Sequence, residues 1–425
     1  MKIVVQGLWH LGCVTAACCA QHHSVVGLDF DEAIVRGLVA GRAPLFEPGL
    51  DELIAAGISR SSLTFTTDPA QACAAADLLW LCYDTPVDDN DRSDIQSVLT
   101  NLKKVLSHLP PGALVLISSQ LPVGTCSRLE SQFPGFHFAY SPENLRLGKA
   151  IEAFTKAERI IVGQRNAGRQ DLLQQLLEPF TSQIIFMRTE SAEMVKHALN
   201  AFLAVSVTFI NEIARLCEHT GADAKEVAAG LKSDVRIGPR AYLGPGGPFA
   251  GGTLARDVVT LIGLGQELHE NVPLLAAIKQ SNDEHRRWNF ERLQFELGTL
   301  RGKTITVLGL TYKPGTNTLR RSAAVELCQE LTKAGAVIRA ADPIVKNLSQ
   351  DLSNVTLISN PIDAIRGADA VVVCTEWPEF RRVNWPEAVQ SMKGRLILDA
   401  NGFLRKELKE IPGVDHVCVG TAQPR

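Results

Sequence analysis

The feature that most restricts this chain is a pattern that occurs twice. Lys2-Ile-Val-Val-Gln6 is an apolar run of strand length, and Gly7-Leu-Trp-His-Leu-Gly12 follows it. The small residues Val14 to Ala20 predict a helix, and Ser24-Val-Val-Gly-Leu predicts a second strand that ends in Asp29. The same order restarts at Lys303-Thr-Ile-Thr-Val-Leu-Gly-Leu310, with a helix over 323–334 and a strand from Val337 that ends in Asp342. Strand, glycine turn, helix, strand and then an acid is the order of a dinucleotide-binding unit. The helix N-terminus presents free N–H groups to a pyrophosphate, and the acid at the second strand's tip accepts ribose hydroxyls. Asp29 favours NAD over NADP, since a 2′-phosphate would meet its charge. The candidate cofactor turn is therefore Gly7, Trp9, His10, Leu11 and Gly12. Its middle position is normally a bare glycine that lets phosphates come near. Here it is Trp9, so the turn has to shift for phosphates to approach.

Further strand signals lie at Leu78–Cys82, Leu114–Ser119, His137–Glu143, Arg159–Gly163, Ala368–Cys374 and Arg395–Asp399. Several end in small polar or proline turns, including Thr85-Pro86 and the segment at Gln120. Such turns belong at the carboxyl edge of a parallel sheet, where open α/β folds bind ligands. Thr85, Pro86 and Gln120 join the candidate cofactor residues. The predicted class is α/β, with two Rossmann-like doubly wound domains joined by a long central helix and a small helical domain. The boundaries are 1–188, 189–298 and 299–425.

The connector carries its own signal. From Glu190 to Gly221, apolar residues recur at Val195, Leu199, Phe202, Phe209, Ile213 and Leu216, the spacing of one buried helix face. Thirty residues at 1.5 Å each make a rod about 45 Å long. Lys196 and Asn200, four apart, are neighbours on it. Gly244-Pro-Gly-Gly-Pro-Phe-Ala-Gly-Gly-Thr-Leu-Ala-Arg-Asp257 follows, a glycine-rich loop that ends in a carboxylate, and residues 258–298 look helical. A lysine and an asparagine beside such a loop suggest a site.

Composition narrows the class. A net charge of −3 gives no electrostatic reason to expect nucleic acid or an acidic membrane surface, and no uninterrupted apolar run approaches 18 residues. The ten cysteines form no Cys-x-x-Cys pair and sit in apolar surroundings, as small buried hydrophobes in a reducing compartment. Cytoplasm is the expected location, and no metal is expected.

These residues resemble the UDP-glucose/GDP-mannose dehydrogenase family over nearly the whole chain. The resemblance rests on Gly41-Arg-Ala-Pro-Leu-Phe-Glu-Pro-Gly-Leu50, Ser141-Pro-Glu-Asn-Leu-Arg146, Glu193–Leu203, Phe209–Ile213, Arg236-Ile-Gly238, Leu308–Pro314 and Thr375–Arg381. It implies an NAD-dependent enzyme that oxidises the C6 alcohol of a nucleotide sugar, UDP-hexose first among them, in polysaccharide biosynthesis. It also implies a homodimer built on the long helix. Lys196, Asn200 and Asp257 would position a water and stabilise an oxyanion, with Glu143 as acid/base or substrate contact. Arg146, Arg236, Tyr242, Gly247, Gly251, Lys313 and Arg381 would contact the sugar nucleotide, Arg236 from across the dimer.

One departure matters most. Alignment through Phe249–Asp257 places Thr253 where the family has its catalytic cysteine. A thiolate is accessible near neutral pH, whereas an unactivated hydroxyl is far harder to ionise. Ser118, Gln120, Leu147, Asn317-Thr318 and Arg321 also depart from the family pattern. Three readings follow: one hydride removed to give a carbonyl, or a hydrate route past it; a nucleotide-sugar-binding protein without chemistry; or the full oxidation with Thr253 as a poor nucleophile.

Overall fold

The computed structural model describes residues 1–86, 94–143, 145–165, 167–249 and 253–421. It divides into two compact units, Met1–Leu199 and Asn200–Arg425. The strands in chain order are β1 Lys2–Gln6, β2 Ser24–Leu28, β3 Leu63–Thr66, β4 Leu78–Leu81, β5 Leu114–Ile117, β6 His137–Tyr140, β7 Ile160–Gln164 and β8 Ile184–Met187. In the second unit they are β9 Thr304–Leu308, β10 Val337–Ala341, β11 Val355–Leu357, β12 Ala370–Val373, β13 Leu396–Asp399 and β14 Asp415–Val417.

Each unit is built on one doubly wound sheet. The first has strand order β3-β2-β1-β4-β5-β6-β7-β8 and the second β11-β10-β9-β12-β13-β14. In both, the order reverses beside the first strand, at β1/β4 and β9/β12, and an open sheet takes ligands at such a switch point. The strands read as continuous apolar runs because helices cover both faces. Leu78, Leu79, Leu81, Val371 and Val372 are all fully buried. The first core splits into a layer around Val5, Leu11 and Trp80 and another around Val4, Leu79 and Leu102 on the opposite face. This is the period-two alternation of a strand covered on both sides.

Two of the sequence expectations need correction at this level. The strand expected from Arg159 belongs with the parallel series in the sequence reading, yet β7 runs antiparallel to β6 and parallel to β8. The connection between them, residues 141–159, carries the helix Ala150–Thr155 and returns the chain alongside β6 in the opposite direction. The first helix is His10–Cys19, four residues earlier than its small-residue core suggested, because its opening turn is the glycine turn itself. The segment over 258–298 is helical, as the sequence suggests, and consists of three helices, Thr253–Glu267, Pro273–His285 and Trp288–Leu297. Pro273 at the start of the second is compatible with a first helical turn, whose N–H groups need no intrahelical partner.

The long helix is Thr189–Thr220, 32 residues, and its buried face is not the one expected. Phe202 is 69 % exposed, Phe209 46 % and Leu216 62 %. The buried positions are small or polar instead, among them Ala192, Glu193, Lys196, Asn200, Ala204, Asn211 and Ala214. Small side chains let neighbouring backbone come close, and the polar ones bond to it. By length and composition this helix could also cross a membrane, since an 18-residue window has a mean hydropathy of 1.3, half of it buried in the molecule.

Candidate active site

In the first unit the cofactor turn is fixed by two close approaches. Gly7 has φ +93°, a left-handed value, and a Cβ there would lie 2.7 Å from the Tyr83 ring. A Cβ on Gly12 would lie 1.7 Å from the Gly7 carbonyl oxygen, so the helix His10–Cys19 is packed directly onto the turn. Asp29, at the tip of β2, is buried; its carboxylate accepts the Leu8 N–H at 2.6 Å and the Asp31 N–H at 3.0 Å. Trp9 occupies the N-cap without a side-chain cap bond and is 45 % exposed, so the turn closes without burying the indole. The helix start does hold an anionic group: the Leu11 N–H donates to Asp84 Oδ2 at 3.2 Å. A first helical turn that already gathers a carboxylate has the donor set a pyrophosphate uses, so these residues fit NAD.

Beside the expected cofactor residue His10 stands Glu47, which the sequence reading did not assign to the cofactor. His10 Nε2 lies 3.0 Å from Glu47, which is buried and also accepts the N–H groups of Gly148 and Ala150, both at 2.8 Å. Burial alone would raise the Glu47 carboxyl, but the Gly148 and Ala150 N–H groups and His10 outweigh it and hold it below the usual range. Glu47 thus ties the first helix to the loop after β6. At the carboxyl ends of β4 and β5, the Thr85 hydroxyl donates to the Gln120 carbonyl at 2.8 Å; both residues are buried, while Pro86 is exposed. Ser118 takes the Trp80 indole N–H at 2.9 Å and donates to the Ser141 carbonyl at 2.7 Å.

The beginning of the long helix is anchored in this unit by polar groups. Glu193 is fully buried and accepts the N–H groups of Gly124 at 2.6 Å and Cys126 at 2.9 Å. It caps the start of the helix Thr125–Gln132, which lacks a side-chain cap of its own. His197 lies 3.1 Å from the Leu121 carbonyl. Lys196 is 4 % exposed; its ammonium donates to the Glu143 carbonyl and sits 3.3 Å from Glu143 Oε1. Glu143 in turn accepts the Leu145 N–H at 2.8 Å. A carboxylate and a carbonyl thus take the N–H groups of a lysine that has little access to solvent. Arg146 is exposed nearby in sequence.

In the second unit the Asn200 amide donates to Asp257, which is fully buried on the helix Thr253–Glu267. The glycine-rich loop before that helix is strapped from several elements. Asn211 accepts the Gly246 N–H at 3.0 Å and donates to the Gly247 carbonyl at 3.2 Å. Asn282 pairs with Phe249 through both its N–H and its carbonyl, each at 3.0 Å. Asn401 accepts the Gly247 N–H at 2.7 Å, and a Cβ on Gly246 would reach 2.0 Å from the same amide oxygen. His285 donates to the Gly246 carbonyl at 2.7 Å; burial is the main reason its pKa falls to about 4, so it serves as a neutral donor. None of these straps is legible from spacing alone, because their partners lie 33 or more positions away.

Thr253 opens the helix that carries Asp257 and is exposed; Gly251 lies outside the described residues. The other expected sugar-nucleotide contacts have these surroundings. Arg236 forms an exposed pair with Asp234 at 2.7 Å, and Tyr242 is 59 % exposed. The Lys313 ammonium sits 5.4 Å from the centre of the Tyr312 ring, and Arg381 stacks on Phe403 at 4.2 Å. Of the ten cysteines nine are buried and Cys374 is intermediate, none paired. Burial pushes the thiols of Cys18 and Cys328 up to about 12, which leaves them poor nucleophiles. Among the described residues, Asp399, His416 and Cys418 group closely enough to hold a metal. Both Asp399 oxygens, however, already accept the Phe403 and Leu404 N–H groups.

Known proteins resemble this chain along nearly its whole length. Three models of the UDP-glucose/GDP-mannose dehydrogenase family match it: the NAD binding domain over residues 1–181, the central domain over 190–284 and the UDP binding domain over 306–406. It is 33% identical to a UDP-glucose 6-dehydrogenase of Rhizobium meliloti, with 99% of each chain covered. It is 32% identical to the UDP-glucose 6-dehydrogenase TuaD of Bacillus subtilis, covering 99% of this chain and 93% of that one. A solved UDP-glucose dehydrogenase from Pyrobaculum islandicum superposes with a TM-score of 0.83 at 29% identity, over 94% of this chain and 93% of its own. NAD is accordingly the cofactor, and a nucleotide sugar the class of substrate. Matched in three consecutive domains and over 99% of its length, the chain belongs to the UDP-glucose/GDP-mannose dehydrogenase family of NAD-dependent oxidoreductases.

Proposed function

We propose that this protein oxidises a hexose hydroxyl of a UDP-sugar in a single two-electron step and releases the carbonyl product. The observation that carries this reading is the fate of the glycine-loop helix. Asp257 and Asn200 keep their buried pairing, while the exposed first position of that helix holds Thr253 and no thiol. NAD, when bound, accepts the hydride from the alcohol carbon. The hydroxyl proton leaves to a base, which Glu143 or an Asp257-held water supplies. Lys196 and Asn200 stabilise the oxygen as charge develops on it. Gln120, Thr85 and the turn Gly7–Gly12 hold the cofactor, while Arg146, Arg236, Tyr242, Gly247, Lys313 and Arg381 hold the sugar nucleotide. Stopping at the carbonyl follows from the hydroxyl of Thr253, which is a far weaker nucleophile than a thiolate.

The same reading divides the chain at 188/189 and 298/299 and places it in the cytoplasm. It makes the protein a homodimer through Phe202, Phe209 and Leu216, exposed apolar residues seven apart on one helix. Phe209→Glu should then shift the mass in solution from dimer to monomer by light scattering; an unchanged mass removes the helix from the interface.

The deciding experiment counts NADH per sugar with UDP-, GDP- and dTDP-hexoses and weighs the products. One NADH and a product two mass units lighter is the expected result. Two NADH and a product fourteen units heavier would show full oxidation. Thr253→Cys should then add a second NADH, provided the remaining site is intact. Sugar nucleotide bound without any turnover would move the protein to the binding class.

A further inference from the structure

The start of the first helix has an unusual cap. The residue at the N-cap is Trp9, which offers no side-chain acceptor to the free N–H groups, and no acidic side chain lies in the first turn. Asp84, 73 positions away and just beyond β4, supplies one instead by accepting the Leu11 N–H at 3.2 Å. The helix is ten residues long and its axis dipole places partial positive charge at this end. A second carboxylate, Asp29, closes the other side of the turn by accepting the Leu8 N–H at 2.6 Å. Two N–H groups of the turn that faces a dinucleotide's pyrophosphate in this fold are therefore already engaged by carboxylates of the chain itself, and the one inside the helix, Leu11, is held by Asp84.

We propose that Asp84 is an affinity-determining residue for the cofactor: its carboxylate competes with the NAD pyrophosphate for the N-terminus of the helix His10–Cys19. Binding requires the side chain to turn away from Leu11 or to remain beside a doubly charged group. Either way it weakens NAD relative to a chain with a neutral residue there. Asp84 is solvent-exposed, so it can swing outward without opening the core, and its replacement leaves the fold intact. The same contact stabilises the helix start when no cofactor is present. Removing the charge therefore has opposite effects on the free protein and on NAD affinity.

Calorimetric titration of the full chain with NAD, ADP-ribose and adenosine tests this, with Asp84→Asn and Asp84→Ala beside the parent. Both variants should bind NAD and ADP-ribose about three- to tenfold more tightly, the effect of one charge at a helix terminus. Adenosine, which lacks the pyrophosphate, should bind all three proteins alike, and the gain should shrink in 1 M salt, where charge is screened within about 3 Å. Without ligand, Asp84→Ala should melt slightly lower than the parent. Unchanged or weaker NAD binding in both variants would overturn the proposal, as would an equal gain for adenosine.

Discussion

The two nucleotide-type turns of this molecule share a frame and differ in what they put on it. In each, a strand runs into a glycine with positive φ, Gly7 at +93° and Gly309 at +84°. In each, the acid at the tip of the second strand closes the turn. Asp29 accepts the Leu8 N–H at 2.6 Å and the Asp31 N–H at 3.0 Å; Asp342 accepts the Leu310 N–H at 2.8 Å and the Ile344 N–H at 3.0 Å. The difference comes directly after. In the first unit the helix starts at His10, three residues past the glycine, so its N–H groups stand at the strand end. In the second, residues 310–322 intervene before the helix Ala323–Lys333, and Trp377 donates to both Thr311 and Asp342 at 3.2 Å. The same acid therefore serves a helix terminus in one unit and a longer loop in the other. The strand–glycine–acid frame is a means of building the turn; the insertion decides which phosphate-bearing group it can receive.

The sharpest way to break the comparison is Gly12→Ala. Its Cβ would overlap the Gly7 carbonyl oxygen, so helix and turn would have to part, and we expect a loss of about 4 kcal/mol or failure to fold, read by denaturant unfolding. Gly7→Ala and Gly309→Ala test the shared part. Both put a side chain at positive φ and within 2.8 Å of neighbouring backbone, and each should cost about 2–4 kcal/mol. Equal losses would support a common frame, and a loss confined to one would deny it.

Smaller effects separate the two acids. Asp29→Ala orphans the Leu8 and Asp31 N–H groups, while Asp342→Ala orphans four backbone N–H groups and one bond of the Trp377 indole; each should lower stability by about 1–3 kcal/mol, the second more than the first. Only Asp29→Ala should also change NAD affinity by calorimetry. Trp377→Phe, which has no counterpart in the first unit, should cost about 1 kcal/mol and leave NAD binding unaltered.

Two histidines of the second unit should shape its pH profile. His285 is held neutral by burial down to about pH 4, below its ordinary 6.5. The unfolded chain takes up that proton first, so stability should fall as pH drops from about 6.5 to 4. For His416 burial opposes the charge, but the hydrogen bond to Asp399, 3.0 Å away, with lesser help from Cys418, raises it to about 9. Its contribution is complete below 6.5 and is lost as pH rises through 9. Melting temperature against pH should therefore lose its acid flank in His285→Gln and its alkaline flank in His416→Gln.

Much of this was legible in the residues. The repeated strand–glycine–strand–acid order located both sheets and both switch points, because buried parallel strands leave uninterrupted apolar runs and a positive φ calls for glycine. Helical spacing put Lys196 and Asn200 one turn apart; alignment put Thr253 inside the glycine-rich loop, and only the structure makes it the first residue of the helix Thr253–Glu267. The buried face of the long helix was misread because its large apolar residues look outward while alanines and polar groups face in. Spacing reports which residues share a face; it does not report which face has neighbours.

The sequence by itself thus determined the two nucleotide-type units and the cofactor class, since each depends on local residue order. Tertiary structure alone decided the antiparallel β7, the Glu47 and Glu193 ties, the straps on the glycine loop and the seating of Asp84 on Leu11. Each of these joins groups 33 or more positions apart, or rests on how strands pair, and no local propensity encodes such a pairing.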